Sequence, residues 1–246
     1  MNDHLIVALD LNHLDKIKSL VEKLKGRVQY YKVGPIPFTY FGPDLVKYLK
    51  GQGLKVMLDL KYHDIPNIVA RACEGAMELG VDLLTLHTSG GFLMMEETVN
   101  ATLMLSNIKK APRPKLLGIT VLTSLDEAYF KDLFGDFKRT LEEQVVFLAQ
   151  LAQSAGLDGV VASPREISVI RKNCKGCGKD FCIVTPGIRS EGEEADDQAR
   201  TMTAREAMKA GANYVVVGRP IVKAPDPVRA AEKIIKEIED GLRESA

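Results

Sequence analysis

Hydrophobic and polar positions along this chain follow two alternating rhythms. Short β-branched or apolar runs recur at fairly even spacing: Leu5–Leu9, Val28–Val33, Lys55–Leu60, Leu83–His87, Leu117–Leu122, Gly159–Ala162, Cys182–Thr185 and Tyr214–Val217. Each reads as a strand. The stretches between them carry helix punctuation. Thr140-Leu141-Glu142-Glu143 is a capping box that opens an amphipathic run to Ala155, and Gly156 stops it. Ser163-Pro164-Arg165-Glu166 repeats the start signal. Asp226-Pro227 opens the last helix, with Gly241 expected just beyond its last apolar turn. Met94, Met95, Met104 and the leucines around them read as ordinary helix packing.

Strands that alternate with helices predict right-handed βαβ units and a parallel sheet. Eight such units in about 250 residues fit a (β/α)8 TIM barrel of the α/β class, a single domain spanning residues 1–246. An open, doubly wound sheet is the alternative. Against it, no Gly-x-Gly-x-x-Gly follows Leu5-Ile6-Val7-Ala8-Leu9-Asp10, and the chain nowhere divides into two nucleotide-binding halves.

Composition narrows the function classes. The chain is 46% hydrophobic, with 33 basic and 33 acidic residues, so no basic excess points to nucleic acid. No 18-residue apolar stretch points to a membrane, and a strand-like run starting by about His4 leaves no room for a signal peptide. A cytoplasmic protein is expected. The cysteines at 73, 174, 177 and 182 agree. Cys174 and Cys177 have redox or half-zinc spacing, yet no second pair or nearby histidine completes a site. Reduced thiols in a surface loop are the expectation, with an incidental disulfide to Cys182 or adventitious metal as alternatives.

Candidate chemistry gathers where the runs end. The first ends at Asp10 and the second at Lys32, followed by Val33-Gly34. The third carries Asp59 and Lys61, which share a face because residues two apart on a strand do so, and Asp64 lies just beyond. Pro66 then suits the first turn of a helix. The fourth run ends at His87 and the fifth at Leu122-Thr123-Ser124. A barrel collects all these ends on one rim. Taken singly, each has a plainer reading: a structural Asp59–Lys61 ion pair, a snorkelling Lys32, Asp10 as a helix cap, His87 as a core imidazole. Their concentration at carboxyl ends, where a structural pattern would use both ends, favours a site.

The last two strand ends look like a phosphate site. Gly218-Arg219 follows Val215-Val216-Val217, pairing a backbone that can approach an anion with a bidentate guanidinium. The long polar loop from Arg189 to Arg200, after the seventh run, has the length of a closing lid or of a solvated acidic loop.

Together these residues resemble the orotidine 5′-monophosphate decarboxylase family. The matching stretches are Val7–Asp10, Lys32-Val33-Gly34, Asp59-Leu60-Lys61-Tyr62-His63-Asp64-Ile65-Pro66-Asn67, His87 with Gly90-Gly91, Leu122-Thr123-Ser124, Thr185–Arg189, Asp197-Gln198 and Val217–Pro220. The resemblance implies a homodimeric barrel that converts orotidine monophosphate to uridine monophosphate and carbon dioxide without metal or organic cofactor. It assigns Lys32, Asp59, Lys61 and Asp64 to a charged tetrad, with Asp64 lent to the neighbouring subunit's site. It gives Asp10 and Lys32 to the ribose, and Thr123 and Ser124 to the pyrimidine. Arg189, Gln198, Gly218 and Arg219 go to the phosphate. Ile65 walls an apolar pocket for the departing gas. Ile68 departs from the family pattern, which has a threonine there whose hydroxyl touches the nucleotide. Two competing readings remain. Related sugar-phosphate decarboxylases use magnesium and carry an acidic ligand where this chain has Lys32. A non-catalytic nucleotide-binding barrel would need the phosphate residues alone.

Overall fold

The computed structural model describes residues 2–135, 138–174, 180–189 and 201–245. Eight parallel strands close in chain order into a barrel: β1 (Asn2–Ala8), β2 (Val28–Val33), β3 (Lys55–Tyr62), β4 (Leu83–His87), β5 (Lys115–Ile119), β6 (Gly159–Val161), β7 (Cys182–Thr185) and β8 (Tyr214–Val217), with β8 pairing back onto β1. Around it run α1 (Leu14–Leu24), α2 (Pro35–Gly51), α3 (Pro66–Glu78), α4 (Phe92–Lys109), α5 (Glu127–Phe134), α6 (Leu141–Ser154), α7 (Ile167–Asn173), α8 (Ala204–Lys209), α9 (Arg219–Val222) and α10 (Pro227–Glu244). The (β/α)8 expectation holds. Among the described residues, no helix is long and apolar enough to cross a membrane.

The predicted caps form as expected. Thr140 and Glu143 make the reciprocal capping box of α6, Ser163 and Glu166 make another ahead of α7, and Asp226 accepts the N–H groups of Val228 and Arg229 at the start of α10. Four details differ from expectation. Gly241 lies inside α10, because a Cβ there would stand 2.3 Å from the Arg205 carbonyl oxygen of the abutting segment; the glycine serves packing, not termination. The fifth strand stops at Ile119: the Thr120 N–H makes the ladder's last bond, to the Val161 carbonyl, which the Thr120 hydroxyl also meets at 3.1 Å. Met104 is 66% exposed, unlike the buried Met94 and Met95. Cys174 is buried rather than on a surface loop, and Cys177 lies outside the described residues.

Two apolar layers form. The larger lies between the strands and the helices and includes Val7, Tyr31, Val33, Leu58, Leu84 and Leu86. The smaller fills the barrel itself with Ile6, Ala8, Tyr30, Met57, Leu83, Leu117, Cys182, Val184 and Val216. Period-two alternation carries the inward face from these residues to polar ones further along: Ala8 to Asp10, Tyr30 to Lys32, Met57 to Asp59, Leu83 to Thr85.

Charges also line the opposite rim, contrary to the expectation that they favour one end. There they are structural. Asp82 accepts from Lys50 Nζ at 2.7 Å and from the Val56 N–H at 2.8 Å. Asp158 takes Arg113 through both guanidinium nitrogens at 2.8 Å, and the Leu116 N–H as well. Each carboxylate thus ties a strand start to a cation, a stabilising arrangement on the amino face of a barrel.

Candidate active site

At the carboxyl rim the pairing is shared rather than one-to-one. Lys32 Nζ stands 3.1 Å from Asp10 Oδ1 and 3.4 Å from Asp59 Oδ2. Lys61 Nζ reaches the same Asp59 oxygen at 2.9 Å. Asp59 Oδ1, on the other side, accepts from the Thr85 hydroxyl at 3.0 Å. Asp59 and Lys32 are buried, whereas the Lys61 side chain is 31% exposed and opens to the cavity. Asp10 does not cap the first helix, whose N-cap is His13 with no side-chain bond. Gly34 makes room for the cluster: a Cβ there would lie 2.8 Å from Lys32 Nζ and 3.1 Å from Asp10 Oδ1.

Asp59 and Lys61 meet as expected, but not by simple alternation. Along β3 and β4 the register runs Met57 to Leu83 and Leu58 to Leu84, then jumps to Tyr62 and Leu86. The third strand therefore spends four residues where the fourth spends two, and Lys61 takes a left-handed backbone conformation, φ 52°. A lysine in this region is strained, and a bulge is the device that re-aims a side chain at a strand end. The Lys61 N–H is satisfied by Thr85 Oγ1 at 3.0 Å.

The electrostatics follow from this packing. Burial works against the Lys32 ammonium, but Asp59 and Asp10 more than offset it and hold its pKa above the ordinary lysine value. His87 goes the other way: burial, then His63 and Lys61, push it below its usual value against the pull of Asp59. The two imidazoles lie 5.2 Å apart, centroid to centroid.

A cavity of about 600 Å³ opens over the cluster. Asp10, Lys32, Asp59 and Lys61 line it together with Arg189, Gly218, Arg219, Thr123 and Val161. The structure thus brings together eight of the residues expected at the site. Arg219 opens α9, a short helix that the sequence did not reveal, and this helix also brings Lys223 to the cavity wall. Ser124 is exposed and does not line the cavity. Asp64, Ile65 and Ile68 are exposed on the loop and first turn leading into α3, away from this chain's own cavity. Gln198 and Asp197, with the rest of the expected lid from 190 to 200, lie outside the described residues. Its flanks are joined by an Arg189 N–H to Met202 carbonyl bond of 3.1 Å.

Sequence reasoning missed Thr85, Gly34 as a space-maker, and Lys223. Thr85 had one signal: a lone hydroxyl at an inward position of Leu83-Leu84-Thr85-Leu86-His87, level with Asp59 once the strands are paired.

Comparison with known proteins agrees with this geometry. The model of the family described as "Orotidine 5'-phosphate decarboxylase / HUMPS family" matches residues 3–234. The orotidine 5'-phosphate decarboxylase of Syntrophus aciditrophicus is 49% identical over 98% of this chain and 94% of its own length. That of Moorella thermoacetica is 47% identical over 96% and 92%. Among solved structures, the orotidine 5'-phosphate decarboxylase of Lactobacillus acidophilus superposes with a TM-score of 0.81 at 36% identity, over 96% of this chain and 99% of that one. On a family match that covers most of its length and relatives nearly half identical to it, the chain belongs to the orotidine 5′-phosphate decarboxylase / HUMPS family.

Proposed function

We propose that this protein decarboxylates orotidine 5′-monophosphate to uridine 5′-monophosphate in pyrimidine biosynthesis, using its own side chains and neither metal nor organic cofactor. The observation that carries the reading is the Lys32–Asp59–Lys61 cluster lining the same cavity as Arg219. The phosphate is held by Arg189, Gly218 and Arg219, and the ribose by Asp10 and Lys32. The pyrimidine carboxylate then rests against Asp59, with Lys61 beside the carbon that bears it.

In the reaction, the C6–carboxylate bond breaks, carbon dioxide leaves, and the electron pair stays on C6. The Lys61 ammonium stabilises that pair and then donates its proton, giving uridine monophosphate and a neutral amine that solvent reprotonates. An ammonium at ~4 Å contributes ~4 kcal/mol at an effective dielectric near 20. Enzymes lower such barriers by about 8–23 kcal/mol, so the charge pair acts with others. Crowding of the substrate carboxylate by Asp59 is relieved as carbon dioxide departs, and the grip on the remote phosphate offsets the cost of imposing it.

The site is completed by a second copy of the chain. Asp64 is exposed beside Ile65 (65% exposed) and near Ile68 (49%) in the chain, an apolar edge suited to burial against a twin that receives Asp64. Ile68 in place of a threonine removes one hydroxyl contact across that boundary, at ~1 kcal/mol of binding. A cytoplasmic location suits the balanced charge and the buried thiols of Cys73 and Cys182.

The magnesium reading is disfavoured because an ammonium, Lys32, occupies the position between Asp10 and Asp59. Purified protein mixed with orotidine monophosphate in excess EDTA tests both points. Loss of the substrate's ultraviolet absorbance is expected at the same rate as without chelator; no loss in either case overturns the reading, and loss only without chelator overturns the metal-free mechanism.

A further inference from the structure

We propose that Thr85 is a positioning residue, whose hydroxyl sets the distance between the Asp59 carboxylate and the Lys61 ammonium. The inference rests on the decarboxylase reading of the site and adds to it a residue outside the charged tetrad.

Thr85 is fully buried and makes two bonds with one hydroxyl. A hydroxyl has a single proton, and Asp59 Oδ1, 3.0 Å away, is the partner that can only accept. The lone pairs therefore accept the Lys61 N–H, also at 3.0 Å. One atom thus ties the side chain of the acid to the backbone of the base. Bonds chained in this way polarise and strengthen one another.

Both ends of that tie need it. The register jump between β3 and β4 takes the Lys61 N–H off the regular ladder, and without Thr85 this partly buried donor would lose the partner it has. The left-handed backbone at Lys61 is costly for a lysine and persists only where its surroundings over-determine it. On the acid, Lys61 and Lys32 both pull on Oδ2, while Thr85 holds Oδ1 and fixes the rotation of the carboxylate. Threonine suits the task because its branched Cβ allows few rotamers.

The test compares wild type, Thr85→Val and Thr85→Ser. Valine keeps the shape and removes the hydroxyl; serine keeps the hydroxyl. Steady-state kinetics on orotidine monophosphate are paired with amide hydrogen exchange at Lys61, which needs no substrate. Thr85→Val is expected to lower kcat by about 30-fold, with KM unchanged or lower, since the phosphate and ribose contacts remain and Asp59 presses less firmly on the substrate. Thr85→Ser is expected to stay within about fivefold of wild type in kcat, and Lys61 amide protection to drop at least about tenfold in the valine variant only. Should the valine variant not fold, Thr85→Ala, whose vacated space can admit water, carries the same comparison. A valine variant within about threefold of wild type in kcat overturns the proposal, as does a serine variant no better than valine, or a kcat loss matched by a rise in KM. Wild type that leaves orotidine monophosphate intact sinks the decarboxylase reading instead. Amide exchange then decides by itself whether Thr85 holds the bulge.

Discussion

On the proposed mechanism, replacing Lys61 by alanine removes the cation and the proton donor together, and the structure bears on what should survive. Asp59 keeps Lys32 at 3.4 Å and the Thr85 hydroxyl at 3.0 Å, so the buried carboxylate is not left alone. The Lys61 side chain is 31% exposed, so with Lys32 and Thr85 still on the buried Asp59 its loss should cost ~1 kcal/mol of stability. Arg189 and Arg219 still line the cavity, so nucleotide binding should persist. Turnover should not. Lys61 Nζ lies 2.9 Å from Asp59 Oδ2, and an ammonium ~4 Å from the carbon that takes the charge is worth ~4 kcal/mol at an effective dielectric near 20. Losing ~4 kcal/mol of charge stabilisation is about 10³-fold in rate. Losing the general acid adds about 10²–10⁴-fold. The expected fall in kcat is therefore about 10⁵-fold or more, the two effects together. Absorbance loss over hours at high enzyme concentration measures the residue of activity, and calorimetry with uridine monophosphate measures binding. A variant that keeps kcat within about 100-fold of wild type would mean that another group, or water, delivers the proton.

Arg219→Ala should cut kcat/KM for the nucleotide by about 10²-fold while leaving the slow reaction of orotidine, which lacks the phosphate, unchanged; unaltered kcat and KM on the nucleotide would remove Arg219 from the phosphate site. If Asp64 serves the partner's site, Lys61→Ala and Asp64→Asn proteins, each inactive alone, should recover roughly a quarter of wild-type activity when unfolded together and refolded, because half the dimers then hold one intact site. No recovery would place Asp64 outside the shared site. His87, pushed below 6.5 by burial, His63 and Lys61, binds a proton less readily folded than unfolded. Its neutral form therefore supports the fold fully above pH 6.5, and that support is lost as pH falls from there through its lowered folded value. Urea unfolding midpoints measured between pH 5 and 7.5 should slope less in His87→Gln than in wild type; equal slopes would refute the assignment.

Much of this was legible in the chain, and what was not has physical reasons. Period-two alternation put Asp10, Lys32 and Asp59 on the inward face, because each continues a run of inward apolar residues on its own strand. The same rule named Lys61 as the neighbour of Asp59, although the real contact depends on a two-residue register jump that no side-chain pattern encodes. Thr85 stayed hidden because a threonine in an apolar strand reads as a good strand former, and its value appears only when β4 is laid beside β3. Gly241 misled for the opposite reason: a glycine near the end of a helical run signals termination, yet here it answers to the Arg205 carbonyl on a segment more than thirty residues away. Charge at the carboxyl rim was a sound guide to the site, but not because the other rim lacks charge. Asp82 and Asp158 sit there too, each spent on one cation and one strand N–H.

That contrast between the rims bears on how the charges act. Asp10, Lys32, Asp59 and Lys61 sum to zero, and a substrate carboxylate brought against Asp59 adds one negative charge. Decarboxylation does not change that total. In the proposed arrangement it moves the charge from the carboxylate, beside Asp59, onto the ring carbon, beside Lys61. An acid and an ammonium held 2.9 Å apart across that path oppose the starting position and favour the final one, so their effect differs between ground state and transition state. In the proposed reaction Arg219 would meet a phosphate whose charge is the same throughout, and its grip would act on the rate only insofar as it pins the ring against the pair. Moving Lys61 back from Asp59 should therefore cost kcat before it costs binding, and this is why a buried hydroxyl on the neighbouring strand, which touches no substrate, can matter to the rate.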